Sequence, residues 1–200
     1  MTPERLPAPS LKGRPVATTH GEIESAAFRL FAERGFESTT LADIAREVGV
    51  GRRTLFRYFS SKNDIAWGQF DTTLEGFRQV FQELPEDLPV HEAVRLAVRS
   101  FNDLPEGAQA QHRARMRLIL ETPALQAHSV LRYAEWRAVI MDYVARRHGL
   151  PPGDLLPRTV GHVALAVALA AYEAWLDDED SVLGDLLDEA LADLRRHLAP

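Results

Sequence analysis

Residues 51–59, GRRTLFRYF, combine three arginines with three aromatic side chains. A helix that only fills a core has no use for the arginines, and a helix that only faces solvent has no use for the rings. In a helix, Leu55 and Phe59 lie one turn apart and face inward, while the arginines and Tyr58 lie on the other side. Guanidinium groups placed together in this way are suited to bind an anion, such as the phosphates of nucleic acid.

The residues before this segment predict the two helices that must hold it. Apolar residues at i, i+3, i+4, i+7 and i+8 predict a first helix, which ends at Gly35 in a left-handed C-cap. Thr40 and Asp43 form a variant of the capping box and predict a second helix of about two turns, which ends at Gly49. The first apolar stripe is Ile23, Ala26, Ala27, Leu30 and Phe31, and the second is Leu41, Ile44, Ala45 and Val48.

A third helix is predicted after the turn at 49–51, from Arg52 to a break at Ser60 and Ser61. Two short helices joined by a tight glycine-containing turn, with an earlier helix packed across them, form a helix-turn-helix unit. In such units the second of the two helices enters the major groove of DNA, with its N-terminal residues at the base edges. The inward side chains therefore anchor the segment to a small core, and the arginines face DNA.

The charge distribution agrees with a local DNA contact. The chain has 200 residues and a net charge of −6, yet residues 1–62 carry a net +3 and residues 63–200 a net −9. A basic head on an acidic body favours DNA binding, and ordinary scatter of charge is the alternative. The absence of cysteine excludes disulfides and thiolate metal sites, so a reducing cytoplasm is the expected location. Residues 1–19 hold four prolines and no apolar run, which predicts a disordered arm and no secretory signal.

Helical signals continue to the C-terminus. A fourth helix is predicted from Ser61 to Phe81, and five more follow at about 89–103, 108–121, 123–148, 154–176 and 179–197. No strand alternation appears, so the predicted fold is all-α. It consists of a three-helix DNA-binding head at 20–65 and a larger helical ligand-binding and dimerisation body at 66–200.

Two of the body helices carry further signals. The apolar run at 159–176 is borderline in length for a membrane span, and because it contains His162 and Glu173 we expect a buried helix. Its alanine face would let helix backbones approach closely, and it consists of Ala164, Ala168 and Ala171. The last helix has an acidic start at 177–180 and a basic end at 195–197, which match the helix dipole.

Two stretches resemble a known family. The pattern Phe31-Ala32-x-x-Gly35-Phe36, Thr39-Thr40, Ile44-Ala45, Gly49-Val50, Thr54-Leu55-Phe56, Tyr58-Phe59 and Ser61-Lys62 stands in fixed order within residues 31–65. This pattern resembles the DNA-binding domain of TetR-family bacterial transcriptional regulators. Residues 112–137 are similar to the C-terminal domain of the mycofactocin-system regulators of actinobacteria, which are associated with acyl-CoA-like ligands. Gly51 and Arg53 depart from the family pattern, which usually has serine and often glycine at these positions.

The resemblance implies a cytoplasmic homodimeric repressor that binds a pseudo-palindromic DNA operator. The dimer would form through the last two helices as a four-helix bundle, and a small hydrophobic or acyl-CoA-like effector would release the DNA. By their place in the motif, the candidates for base contacts are Arg52, Arg53 and Phe56. The candidates for phosphate contacts are Thr40, Thr54, Arg57, Tyr58 and Lys62. The alternatives are that both leading arginines contact phosphate only and that Thr40 only caps its helix; Lys12 and Arg14 in the arm either follow the minor groove or remain in solvent.

An effector pocket is predicted inside the body. A helix that is apolar on two sides, as predicted at 123–148, packs between other helices and could line a cavity. Arg113 and Arg117 share a helix face, so we hypothesise that, with Arg132 and Arg137, they bind an anionic headgroup such as the phosphates of a CoA ester. The alternatives are core packing for the aromatic residues and a solvated face for the arginines. The pocket candidates are Trp67, Phe70, Phe77, Arg113, Met116, Arg117, Leu120, Tyr133, Trp136 and Ile140.

No enzyme is expected. The chain lacks the motifs of zinc proteases, serine hydrolases, P-loop proteins and dinucleotide-binding proteins, so we predict no catalytic residue, cofactor or metal. His112, His128 and His162 would form a metal site only if the fold happened to bring them together. Two other classes remain open: a non-specific architectural DNA binder and a small-molecule-binding protein without a regulatory role.

Overall fold

The computed structural model describes residues 18–105 and 107–198, which form ten helices and no strand. The chain divides into two compact units, one ending at Ile65 and one beginning at Ala66. The first unit contains α1 (His20–Arg34), α2 (Leu41–Val48) and α3 (Arg52–Leu55), and α4 (Lys62–Trp67) spans the boundary. The second unit contains α5 (Phe70–Glu83), α6 (Val90–Phe101), α7 (Gln109–Glu121), α8 (Pro123–His148), α9 (Leu155–Asp177) and α10 (Leu183–Leu198). The predicted all-α fold is confirmed.

The head has a small core of its own. The predicted stripe of α1 is buried throughout, whereas on α2 Ile44 and Ala45 are buried and Leu41 and Val48 are half-buried. The capping box at Thr40 is confirmed, because its hydroxyl accepts the Asp43 N–H and the Asp43 carboxylate accepts the Thr40 N–H. The core side chains of the unit are Ile23, Ala26, Ala27, Leu30, Phe31, Phe36, Ile44, Ala45, Leu55, Phe59 and Ile65.

Two terminal details of α1 differ from the prediction. Thr19, which the sequence places in the arm, is the N-cap of α1 in a full capping box with Glu22. Residues 1–17 of the predicted arm, including Lys12 and Arg14, lie outside the described residues. Gly35 has a positive φ of 80° but a ψ of 155°, so it is not the predicted left-handed C-cap. Its N–H still donates to the Phe31 carbonyl.

Three predicted helix boundaries were wrong. The third helix ends at Leu55 and passes into a turn before Ser60. The predicted fourth helix is two helices, because Gly68 takes a left-handed φ of 62° between α4 and α5. The last helix begins at Leu183, since the backbone at Asp178–Ser181 turns back on the Asp178 side chain and carbonyl. Of the predicted acidic start, Asp177 is the last residue of α9 and residues 178–180 lie in the connection before α10, while the basic end is as predicted.

The helix α9 is the core helix of the body. It is the one helix in the described chain that is long and apolar enough to cross a membrane by length and composition. One stripe of α9 is buried against its neighbours inside the unit: Pro157, Gly161, Ala164, Ala168, Ala171, Tyr172 and Trp175. The predicted alanine face is therefore used within the subunit.

The helices α8 and α9 approach closely at Gly161. A Cβ at this position would lie 2.9 Å from Met141 Cγ and 3.2 Å from the Arg137 carbonyl oxygen. The methionine side chain can move, but the carbonyl belongs to the backbone of α8. At Gly76, inside α5, a Cβ would meet no atom within 4 Å.

These two glycines give a matched test of the packing. Alanine is about 1 kcal/mol more favourable than glycine in a helix interior, so Gly76→Ala should raise the free energy of unfolding by up to about that amount. Gly161→Ala should lower it by about 1–3 kcal/mol, because overpacking outweighs the gain in helix propensity. Urea denaturation of the two variants measures both effects, and a stabilised Gly161→Ala variant would contradict the close α8–α9 contact.

Candidate nucleic-acid interface and body interior

The short helix α3 is held by two buried side chains. Leu55 is 0% exposed and Phe59 is 4% exposed, as the sequence predicts. Gly51 precedes the helix and its carbonyl accepts the N–H groups of Thr54 and Leu55. A helix of four residues is unstable alone, so its orientation depends on these anchors.

The opposite side of α3 is polar and exposed. Arg52, Arg53, Phe56 and Arg57 are all exposed, and Phe56 presents 45% of its surface. The Arg52 guanidinium carbon lies 5.9 Å from the centre of the Phe56 ring. Neither Arg53 nor Arg57 forms a hydrogen bond or ion pair with any residue of the described ranges. The head therefore presents three guanidinium groups and one ring on a single exposed surface, which we call the α3 surface.

Two of the candidates for phosphate contacts begin a helix or lie within one. Thr40 is exposed, and its hydroxyl lies 2.5 Å from Asp43 Oδ2. The hydrogen bonds from the Thr40 hydroxyl and backbone, together with one from Arg46, hold the pKa of Asp43 below its usual value. Thr54 is half-buried in α3. A phosphate contact by either threonine stays a prediction.

Two further candidates for phosphate contacts, Tyr58 and Lys62, have partners inside the head. The Tyr58 hydroxyl donates to the Thr18 carbonyl at 2.7 Å, and its ring lies edge-on to His20 with centroids 4.9 Å apart. The Lys62 ammonium donates to the Phe36 carbonyl at 2.6 Å and lies 4.2 Å from the centre of the Phe36 ring. The sequence predicts Tyr58 on the exposed side of the helix with the arginines. This prediction was wrong, because the Tyr58 side chain is half-buried. Both side chains tie α3 and α4 to the start and end of α1.

Many of the predicted pocket residues meet in the interior of the body. Trp67 lies edge-on to Phe70 and to Tyr133, with centroids 5.2 Å and 5.7 Å apart. Phe77 stacks on Trp136 at 5.3 Å. Met116 and Ile140 are buried as well, and Leu120 is half-buried. Phe101, which the sequence did not single out, connects the two groups, because it lies 6.4 Å from Phe70 and 5.0 Å from Phe77.

The two predicted headgroup arginines bind the C-terminal end of α9. Arg113 donates to the carbonyls of Trp175, Asp178 and Glu179 and lies 4.1 Å from the centre of the Trp175 ring. Arg117 donates to the Leu176 carbonyl at 3.1 Å. The last carbonyls of a helix lack partners within the helix and carry partial negative charge, which attracts cations. The structure therefore gives both arginines a role in capping α9, and a headgroup contact by either stays a prediction.

Arg132, proposed as a further headgroup ligand, is also engaged. Its guanidinium donates to Asp71 at 2.8 Å and to Glu135 at 3.2 Å. It lies 5.3 Å from the centre of the Phe70 ring.

A chain of polar side chains crosses the body, and no pattern in the sequence predicts it. Asn102 and Tyr172 are buried and His112 is half-buried. Asn102 Nδ2 donates to the Val98 carbonyl at 2.7 Å, which turns Asn102 Oδ1 toward the Tyr172 hydroxyl at 2.5 Å. Because Tyr172 donates to this oxygen, His112 Nε2, at 2.8 Å from the hydroxyl, must be the donor to Tyr172. Burial raises the pKa of Tyr172. Burial, with the positive charge of Arg115, lowers the pKa of His112 to about 4.

A groove of about 900 Å³ opens between α6, α8, α9 and α10, away from the predicted pocket residues. Its lining includes Val94, Val144, Leu156, Val163, Leu191 and Leu194. Within residues 18–105 and 107–198, no group of three or more His, Asp or Glu side chains is placed to hold a metal ion.

Comparison with known families identifies the chain. The family model for the N-terminal domain of bacterial regulatory proteins of the tetR family matches residues 23–66, and the model for the MftR C-terminal domain matches residues 88–199. A protein of Mycobacterium tuberculosis named as the mycofactocin biosynthesis transcriptional regulator MftR is 44% identical over 92% of this chain and 93% of its own. The chain is a TetR-family transcriptional regulator with an MftR-type C-terminal domain.

A further relative agrees with this assignment, and a solved structure shares the fold. The HTH-type transcriptional regulator TcmR of Streptomyces glaucescens is 30% identical over 95% of this chain and 88% of its own. The repressor FadR of Thermus thermophilus, solved with lauroyl-CoA, has the same fold with a TM-score of 0.57. It is 23% identical and covers 88% of this chain and 93% of its own. The exposed α3 surface therefore belongs to the DNA-binding domain of a transcriptional regulator.

The polar chain of the body makes the stability of the regulator depend on pH. His112 has a pKa of about 4 in the folded protein and about 6.5 when unfolded. Since the unfolded chain binds more protons between these values, stability is lost as the pH falls from about 6.5 toward 4.

Replacement of His112 by glutamine should remove this contribution. Between pH 7 and pH 5 the wild-type free energy of unfolding should fall by about 1–2 kcal/mol more than that of His112→Gln. Denaturant titrations at the two pH values measure the difference, in which the contributions of the other titratable groups cancel. An equal pH dependence of the two proteins would show that His112 is not held neutral.

Proposed function

We propose that the protein is a homodimeric repressor that recognises a pseudo-palindromic operator through α3 and releases it when an acyl-CoA-like effector binds the body. The observation that carries the DNA part is the α3 surface: Arg53 and Arg57 are exposed without partners in the described ranges, on a helix whose other side is buried. Such a surface has no structural use inside the subunit.

The roles on this surface follow from position. Arg52 and Arg53 stand in the first turn of α3, where residues of a recognition helix reach base edges. A guanidinium group binds O6 and N7 of guanine in two parallel hydrogen bonds, and the Phe56 ring suits the methyl group of thymine. Arg57 follows α3 and, with Thr40 and Thr54, is proposed to contact phosphates. Lys62 and Tyr58 are proposed to help hold the surface and to add phosphate contacts at its edge.

A dimer is supported by an apolar stripe that α9 leaves uncovered. Opposite its buried stripe, α9 exposes Thr159, Val163, Ala166, Ala170 and Ala174. Small side chains of this kind allow a second helix to approach closely. On α10, Leu186, Ala190, Leu191 and Leu194 are only half-buried. We propose that α9 and α10 pack on the same helices of a second copy, in a closed two-fold interface. Two-fold symmetry then requires a pseudo-palindromic operator, and two copies of α3 that read successive major grooves would contact half-sites about 34–36 Å apart, one turn of DNA.

An acyl effector is supported by the relative solved with lauroyl-CoA and by the aromatic interior of the body. The rings of Trp67, Phe70, Phe101, Phe77 and Trp136 contact one another in a row and supply apolar surface for an alkyl chain. Release of DNA requires that the effector bind the DNA-free arrangement of the dimer more tightly than the DNA-bound one. A regulator of chromosomal DNA is expected in the cytoplasm, and no catalytic step is proposed.

Single arginine variants distinguish base reading from phosphate contact. Binding is measured by fluorescence anisotropy against DNA from the region upstream of the coding sequence and against a scrambled duplex, over a series of salt concentrations. Arg53→Ala should lower affinity for the upstream DNA by roughly tenfold to a hundredfold and leave the scrambled duplex much less affected. Arg57→Ala should weaken both and reduce the salt slope by about 1.

The matched control is Arg78→Ala on α5. It also removes one positive charge, but from a position where the arginine pairs with Glu75. It should leave both affinities and the salt slope unchanged. If Arg53→Ala lowers affinity for the two duplexes equally, Arg53 contacts phosphate only. If wild type binds both duplexes equally well, the protein is an architectural DNA binder.

A further inference from the structure

The indole of Trp67 carries a buried donor without a partner. Its Nε1 atom is buried and forms no hydrogen bond with the residues that the structure describes. Buried N–H groups of proteins are almost always paired, so an unpaired one calls for an explanation such as a bound ligand. An indole N–H can only donate, so the missing partner must be an acceptor.

The surroundings of Trp67 favour a neutral acceptor. The rings in contact with the indole are Phe70 and Tyr133. Two arginines contact the neighbours of Trp67, and both are engaged. Arg115 donates to the carbonyl of Ala66 at 2.8 Å, and Arg132, which lies 5.3 Å from the centre of the Phe70 ring, pairs with Asp71 and Glu135. An anion buried at this place would lack a free cation to offset its desolvation, whereas a carbonyl oxygen needs only the one donor.

The apolar row of rings begins at the same place. From Trp67 the rings continue through Phe70 and Phe101 to Phe77 and Trp136, with neighbouring centroids between 5.0 and 6.4 Å apart. A ligand that joins a carbonyl group to an alkyl chain matches this order of one donor followed by apolar ring surface.

We infer that Trp67 Nε1 donates a hydrogen bond to the thioester carbonyl of the acyl effector, whose alkyl chain lies along the row of rings. The inference rests on the proposed function and assigns the residue by which the body distinguishes an acyl thioester from an alkyl compound of the same length. Trp67 is the last residue of α4, whose first residue, Lys62, binds the Phe36 carbonyl of the head. The effector contact and the head contact thus lie on one six-residue helix.

The test compares lauroyl-CoA with S-dodecyl-CoA, which has the same chain length and headgroup but a thioether in place of the thioester. Calorimetric titration of the full-length protein should give wild type a preference for lauroyl-CoA of about fivefold to tenfold, the value of one hydrogen bond. Trp67→Phe should abolish the preference. The comparison of two ligands cancels any general loss of packing from the smaller ring. Trp175→Phe, the matched control, removes an indole N–H on α9 and should retain the preference.

Wild type alone supplies a second measurement. The chain has three tryptophans, so three indole N–H signals are expected in a nitrogen-15 spectrum. The Trp67 signal should move downfield with lauroyl-CoA and much less with S-dodecyl-CoA. A preference that survives in Trp67→Phe overturns the inference, and so does an equal response of the Trp67 signal to both compounds. Failure of wild type to bind either compound overturns both the inference and the proposed effector class. The DNA experiment with Arg53→Ala uses no effector, so it tests the proposed DNA recognition independently of that result.

Discussion

The α3 surface depends on side chains that anchor a helix too short to be stable by itself. The helix α3 has four residues, far fewer than an isolated helix needs in water. Leu55 and Phe59 hold it from below, and the hydrogen bond from Tyr58 to the Thr18 carbonyl fixes the turn that follows it. The arginines are held on the exposed side of α3 because these three side chains face the other way.

Side chains also stabilise the backbone in the rest of the head. Lys62, a cation at the start of α4, donates to the carbonyl of Phe36 and covers its ring. Thr39 is buried and donates to the Gly35 carbonyl at 2.9 Å. Backbone carbonyls after α1 thus receive side-chain donors, which lets the loop between α1 and α2 turn without leaving buried acceptors unpaired. In the body, Arg113 and Arg117 do the same for the end of α9.

Much of the fold could be predicted from the sequence because helix periodicity and caps are local signals. The stripe on α1, the cap at Thr40 and the helix α8 at Pro123–His148 all follow from spacing and terminal residues. The break between α4 and α5 was missed, since a single glycine inside an apolar pattern does not show whether its φ is positive. The end of α3 was missed because the apolar anchors continue to Phe59 although the helix does not.

The roles of side chains in the candidate sites were harder to predict for a different reason. The spacing of Arg113 and Arg117 places them on one helix face. Their partners are carbonyls at the end of α9, and the sequence does not show that this end lies beside α7. The chain from His112 through Tyr172 to Asn102 joins residues up to 70 positions apart, so no local pattern shows it. The α3 surface, by contrast, was predictable, because exposed arginines beside buried anchors occur within nine consecutive residues.

We propose that operator DNA and an acyl effector bind different arrangements of the same dimer, so that each weakens the binding of the other. Thermodynamic linkage measures this directly: the affinity for upstream DNA is determined with and without lauroyl-CoA, and the affinity for lauroyl-CoA with and without that DNA. The proposed mechanism predicts a preference for the upstream DNA over a scrambled duplex of about a thousandfold or more. It further predicts that each ligand weakens the other by the same factor. Affinities for DNA that do not change with lauroyl-CoA bound would contradict it.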